Sequence, residues 1–219
     1  MAGNKPKPWE TSPPGRRDEA TKHRRRVLIV CEDSKSSCFY FRGFHIDLAR
    51  AEVVTVGTGM NTDTLVEEAI RRKQVAAGRN EPYNEVWCVM DRDSFPLERY
   101  ARAFELARNS RIRIAWANEA FELWYLLHFN YHDTGMSRTE YGRRLETLLR
   151  EEYDKADPDI YSKVHAGQDT AVRNARRLEK HWRELGERFP ERQNPSTSVH
   201  KLVEFLGELS ELEPVADQQ

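Results

Sequence analysis

Short apolar runs that stop abruptly at acids set the rhythm of the first 130 residues. Residues 86–90 (Val-Trp-Cys-Val-Met) end in Asp91-Arg92-Asp93, and residues 27–31 (Val-Leu-Ile-Val-Cys) end in Glu32. Runs this short, without polar alternation, predict strands buried on both faces. Residues 51–57 read as another strand, closed by Gly57 and Gly59. Residues 111–117 alternate basic and apolar side chains, as a strand with one exposed face does. Helical patterns fill the gaps. Phe39, Tyr40, Phe44 and Leu48 share a spacing behind Ser34 or Ser36 as N-cap. Residues 64–72 carry Thr64 and Glu67 as a capping box, and residues 96–108 start on a proline. Residues 121–129 form a short, very apolar helix. Strands alternating with helices predict a parallel sheet with right-handed crossovers.

Beyond Ser137 the pattern is helical. Tyr141, Leu145, Leu148 and Leu149 make an apolar stripe over residues 137–152, and a loop over 154–168 holds Tyr161, Lys163 and His165. Residues 169–189 form a basic helix, Asn194-Pro-Ser-Thr reads as a helix start, and Val199, Leu202, Val203, Leu206 and Leu209 make the last apolar face. The expected organisation is a flexible basic arm (1–25), an α/β domain (26–133), a helical extension packed on it (134–211) and an acidic tail (212–219). With 35 Lys and Arg against 36 Asp and Glu, the net charge is −1. A nucleic-acid partner must therefore be met by a local basic patch rather than by the field of the whole molecule. Cys31, Cys38 and Cys88 are widely spaced and lack a CxxC arrangement, which reads as buried thiols. The absence of a signal-like segment, or of an apolar run near about 20 residues, leads to the expectation of a cytoplasmic protein without a membrane segment.

The chemistry concentrates where strands end. In Asp91-Arg92-Asp93 the two carboxylates leave on one side if the strand persists, and like charges held that close call for a cation between them. Mg²⁺ or Mn²⁺ suits such hard oxygen ligands. Glu32 ends a second strand, and in parallel sheets the functional crevice lies outside the carboxyl ends. The plainer reading is that Asp91 and Asp93 cap the helix near Pro96. Glu122, among Phe121, Leu123 and Trp124, needs a cation, a salt bridge or a helix N-terminus to offset its burial. His128 reads as packing. Lys163, on a loop, is either a cation for a transition state or a surface lysine. Arg92 and the series Arg173, Arg176, Arg177 and Lys180 are candidate phosphate contacts; a solvated face balanced by Glu179 and Glu184 is the alternative.

Five stretches in this order carry a resemblance: Val-Leu-Ile-Val-Cys-Glu32, Phe39-Tyr-Phe-Arg-Gly-Phe44, Glu85-Val-Trp-Cys-Val-Met-Asp-Arg-Asp93, Phe121-Glu-Leu-Trp-Tyr-Leu-Leu-His-Phe129 and Asn194-Pro-Ser-Thr. Together they are similar to the RloB-like family, whose members resemble Toprim domains, the metal-dependent fold of topoisomerases, primases and OLD-type nucleases. The resemblance implies a Toprim-like (Rossmann-like) α/β parallel sheet flanked by helices, with a helical C-terminal extension. By the same likeness Glu32 is the first-strand glutamate, Asp91 and Asp93 are the metal-binding pair, Glu122 is an extra acid and Lys163 is a catalytic lysine. The implied function is a Mg²⁺- or Mn²⁺-dependent nuclease on DNA or RNA in prokaryotic anti-phage defence, beside an AAA-type ATPase. A Walker loop is not found, so ATP hydrolysis would belong to the partner. The chain departs from the family pattern at Asp33, where Gly is usual, and at Ser37, where Glu is usual. Asp33 either joins the ligand set or marks a looser loop. Two rival readings stand: a non-catalytic scaffold binding nucleic acid or protein, and a nucleotide-sugar transferase using the DxD pair, which leaves Glu32 unexplained.

Overall fold

A computed structural model describes residues 25–92 and 96–211. The proposed basic arm, apart from Arg25, the acidic tail and Asp93 lie outside the described residues. A sheet in the order β2-β1-β3-β4-β5 forms the centre. Its strands are β1 (Arg25–Cys31), β2 (Ala51–Gly57), β3 (Glu85–Asp91), β4 (Arg113–Asn118) and β5 (Ser196–Thr197). The first four are parallel, and β5 pairs antiparallel to β4 through Ala117 with Thr197 and Asn118 with Ser196. The fold class is thus α/β with a mostly parallel sheet, as expected.

The apolar runs are continuous because both faces are covered. Val27, Ile29, Cys31, Trp87 and Val89 face one layer, and Leu28, Val30, Val86, Cys88 and Met90 face the other. The second layer holds α2 (Thr62–Gly78) and α3 (Leu97–Asn109), which supply Leu65, Val66, Ala69, Tyr100, Ala103 and Ala107. The first layer is larger. It contains α1 (Ser36–Arg42), α4 (Glu122–Leu127), α5 (Arg138–Leu149), α6 (Ile160–Val164), α7 (Gln168–Glu184) and α8 (Val199–Glu211). Cys31, Cys38 and Cys88 are buried free thiols.

Several local expectations are corrected. Helix α1 ends at Arg42, before Phe44 and Leu48, and its N-cap is Lys35. Ser36 is already inside the helix, where its carbonyl accepts from Tyr125 Oη at 2.8 Å. Helix α2 starts at Thr62 behind Asn61, so Thr64 and Glu67 make no capping box; Thr64 Oγ1 instead donates to the Asn61 carbonyl. Strand β4 is exposed only at its start: residues 115–118 are buried, with β5 paired along one edge and α8 packed against the strand. The segment 154–168, read as a loop, contains α6 and a 3₁₀ turn over His165–Gly167. Asn194-Pro-Ser-Thr does lead into a helix, Thr197 Oγ1 accepting from Val199 N at 3.1 Å to open α8, but Ser196 and Thr197 are first the last strand, paired with β4. Local propensity cannot see that pairing, since its partner strand lies some 80 residues earlier. The capping box that does form, Ser137 with Glu140, opens α5.

Candidate active site

Strands β1 and β3 are neighbours, yet the chain leaves them toward opposite faces, α1 on one and α3 on the other. Such a switch point opens a crevice at the carboxyl ends of the strands. Glu32 stands there. Its backbone N–H donates to Val89 O at 2.9 Å, extending the pairing past β1, and its Oε2 accepts from the Asp91 N–H at 3.1 Å. Asp91 is the last residue of β3. Across from them, α4 begins with Glu122, only 6% exposed, whose Oε1 accepts from Tyr153 Oη at 2.9 Å.

Asp33 joins from the loop after Glu32, and Ser37 Oγ donates to its Oδ1 at 2.8 Å. A glycine allows this loop to lie where it does. A Cβ on Gly57 would come within 2.4 Å of Ser34 Cα and 2.6 Å of Asp33 O, so only a bare Cα at the end of β2 admits it. Among the described residues, two cations border the acids. Lys155 Nζ lies 3.9 Å from Asp33 Oδ2 and 4.0 Å from Glu122 Oε1. Arg138, the first residue of α5, places Nη2 3.4 Å from Asp91 Oδ2.

The electrostatics are lopsided. Burial pushes the Asp91 carboxyl well above the usual carboxylate range, and Glu122, Glu32 and Asp33 push it further, while Arg138 pulls it back only in part. Burial and then the Glu122 charge likewise raise the Tyr153 hydroxyl, keeping it a donor to that carboxylate. Every acidic donor is a hard carboxylate oxygen, the chemistry that suits Mg²⁺ or Mn²⁺. Among the described residues, no three His, Cys, Asp or Glu side chains group as a ready-made metal cage. The acids thus match a hard divalent cation in donor type, while Arg138 and Lys155 already lie against three of them.

A family model described as RloB-like protein matches residues 27–206. The chain belongs to the RloB-like family. No curated protein and no solved structure matches it.

In this RloB-like chain the fold sets Glu32 against Asp91 and brings Glu122 near enough for its charge to act on Asp91, from three separate stretches of sequence. It does not bring Lys163. That side chain sits on α6, not on a loop, and its ammonium binds Glu151 and, at 2.7 Å, Asp157 Oδ2. These two carboxylates raise its pKa and hold it protonated. Lys155, Tyr153 and Arg138 are the neighbours that sequence reasoning missed. Only Arg138 had a usable signal, its place directly after the Ser137 cap. Lys155 and Tyr153 lie in an irregular stretch whose position depends on the packing of α5.

Other candidates resolve individually. Arg92 donates its N–H to Ala117 O at 2.8 Å and holds its guanidinium 5.6 Å from the Tyr100 ring centroid. The α7 cations divide: Arg176 pairs with Glu204 at 2.7 Å and Lys180 with Glu184 at 3.7 Å, whereas Arg173 donates to Thr170 and Arg177 lies 3.8 Å over the Tyr131 ring. His128 is a packing residue, buried between Trp124 O at 2.9 Å and Tyr40 Oη at 3.3 Å, and burial pushes its pKa down to about 4. Arg26, the second residue of β1, is held by Glu52 at 2.7 Å. No helix among the described residues is long and apolar enough to cross a membrane.

Proposed function

We propose that this protein is a metal-dependent phosphodiesterase acting on nucleic acid, with its acids at the β1–β3 switch point. The observation that carries the reading is Asp91, a partly buried carboxyl destabilised as an anion by desolvation and then by Glu122 and Glu32, at the carboxyl edge of a parallel sheet. Such a cluster is costly unless a cation is bound there. Glu32, Asp91 and Glu122 would hold Mg²⁺ or Mn²⁺, with Asp33 beside them; Asp93 lies outside the described residues. A bound divalent ion would supply polarisation of the scissile phosphate and a more acidic water. Tyr153 holds the Glu122 carboxylate in one orientation through its hydroxyl. Lys155, rather than Lys163, stands where a cation would offset charge building on the phosphate. The defence role and the ATPase partner implied by the sequence motifs belong to the same proposal.

One observation favours a second reading. Arg138 and Lys155 already border three of the acids, as they would in a scaffold whose carboxylates serve structure. Incubation with single- and double-stranded DNA and with total RNA, in Mg²⁺, Mn²⁺ or EDTA, separates the two. Expected is metal-dependent cleavage that Asp91→Ala abolishes. Wild-type protein that neither cleaves nor binds either metal by calorimetry would sink the catalytic reading and leave the scaffold.

A further inference from the structure

The arginines of α5 and α7 fall into two classes once their surroundings are compared. On α7, Arg176 and Arg183 are seven residues apart and so share one side of the helix. That side faces α8: Arg176 meets Glu204 of α8, and Arg183 lies 3.8 Å from Glu179, a carboxylate that also takes Lys201 of α8 at 2.9 Å. Arg173 and Arg177, four residues apart, share a different side. There the Arg177 guanidinium is stacked on Tyr131 at 3.8 Å. That cation–π contact holds the guanidinium beside the ring while the side chain stays exposed.

Tyr131 leads directly to His132, and the charge of Arg144 from α5 acts on that ring. Arg144 lies on the same helix as Arg138, which reaches Asp91. Among the described residues, Arg144, Arg173 and Arg177 have no carboxylate at ion-pair distance, unlike Arg176 and Arg183. The acids that act on this face are Asp133, on Tyr131 and His132, and Glu140, whose carboxylate is taken up by Ser137.

We propose that Arg173, Arg177 and Arg144, set around Tyr131 and His132, form a cationic track that seats the sugar-phosphate backbone of a nucleic acid, with Arg138, already bound to Asp91, on the same helix as Arg144 at the acid end. Planar guanidinium forks match phosphate oxygens, and the Tyr131 ring, packed on the core with Arg177 over its face, braces the track rather than offering a base a stacking surface. The track crosses from α7 to α5 over residues 131–132 and does not follow α7 along its length. The proposal rests on the phosphodiesterase reading for what happens at its far end, but not for the binding itself.

The test compares two double variants that remove the same charge. Arg144→Gln/Arg177→Gln interrupts the track, and Arg176→Gln/Arg183→Gln removes two cations from the side facing α8. Fluorescence anisotropy with labelled 30-nucleotide single- and double-stranded DNA and RNA, in EDTA across a salt series, reads binding without cleavage. The first pair should weaken binding about tenfold or more and flatten the slope of log affinity against log salt by about 1.4 for single strands or 1.8 for duplex. The second pair should change affinity less than about threefold. Equal losses in the two pairs, or a loss in neither, overturns the track. Wild-type protein that binds no probe overturns it as well and leaves an acidic protein surface as the occupant. Circular dichroism confirms folding, and Arg177→Lys, which keeps the charge but not the planar stack, replaces Arg177→Gln if the first pair unfolds. Binding that follows the expected pattern without metal-dependent cleavage would remove the nuclease reading alone.

Discussion

At the residue scale, Asp91 is the strained member of the site. Its folded-state pKa lies above the ordinary carboxylate value, so the native protein binds a proton more tightly than the unfolded chain. The sign follows by linkage: the contribution to stability is present below the ordinary carboxylate pKa and is lost as pH rises through the folded value. In metal-free buffer at neutral pH, Asp91→Asn should therefore raise Tm relative to wild type, and the advantage should vanish in acid, where the wild-type carboxyl is protonated. Added Mg²⁺ or Mn²⁺ should raise the wild-type Tm and leave Asp91→Asn nearly unmoved. Thermal scans over pH and metal concentration read both effects. A wild type destabilised by the substitution at neutral pH would show that Arg138 outweighs the acids.

At the element scale, the site depends on how closely strand ends and loops approach. The loop after β1 carries Glu32 and Asp33, and it packs against the end of β2 because Gly57 has no side chain. Gly57→Ala places a methyl group into backbone atoms, which cannot swing aside as a side chain does. We expect a loss of about 1–3 kcal/mol in denaturant unfolding and weaker metal binding by calorimetry, since the loop must shift. Unchanged metal affinity would separate Asp33 from the ligand set. The strand ends themselves were legible from their apolar runs, because a parallel strand covered on both faces has no polar alternation to hide it. The helix starts of α1 and α2 were not legible: buried packing at Ser36 and the turn at Asn61 set them, and local capping preferences lost to both.

At the scale of the whole molecule, the later part of the chain completes the earlier part. Strand β5 borders β4, and Tyr141, Leu145, Ala171, Ala175, Leu178, Val199 and Leu202 share one buried cluster with Phe121, Trp124 and Leu127. A fragment of residues 25–133 would leave that face of the sheet open to water and β4 with an unpaired edge. It should lack cooperative thermal unfolding and should aggregate, as checked by circular dichroism and light scattering. A soluble fragment that melts cooperatively would contradict this dependence.

The sequence by itself determined the α/β class, the four parallel strands, the family and the acids at the ends of β1 and β3. Each is written in a local signal: an apolar run, its length and the residue that stops it. Only the tertiary structure decided the rest. It set Lys155 and Tyr153 beside Glu122, tied Lys163 to Glu151 and Asp157, turned Ser196–Thr197 into a strand, and divided the α7 arginines between α8 and Tyr131. These are choices among partners far apart in the chain. A charged side chain reads the same in sequence whether its counter-charge is a neighbouring carboxylate, a ring face or a ligand, and packing alone selects which one it meets.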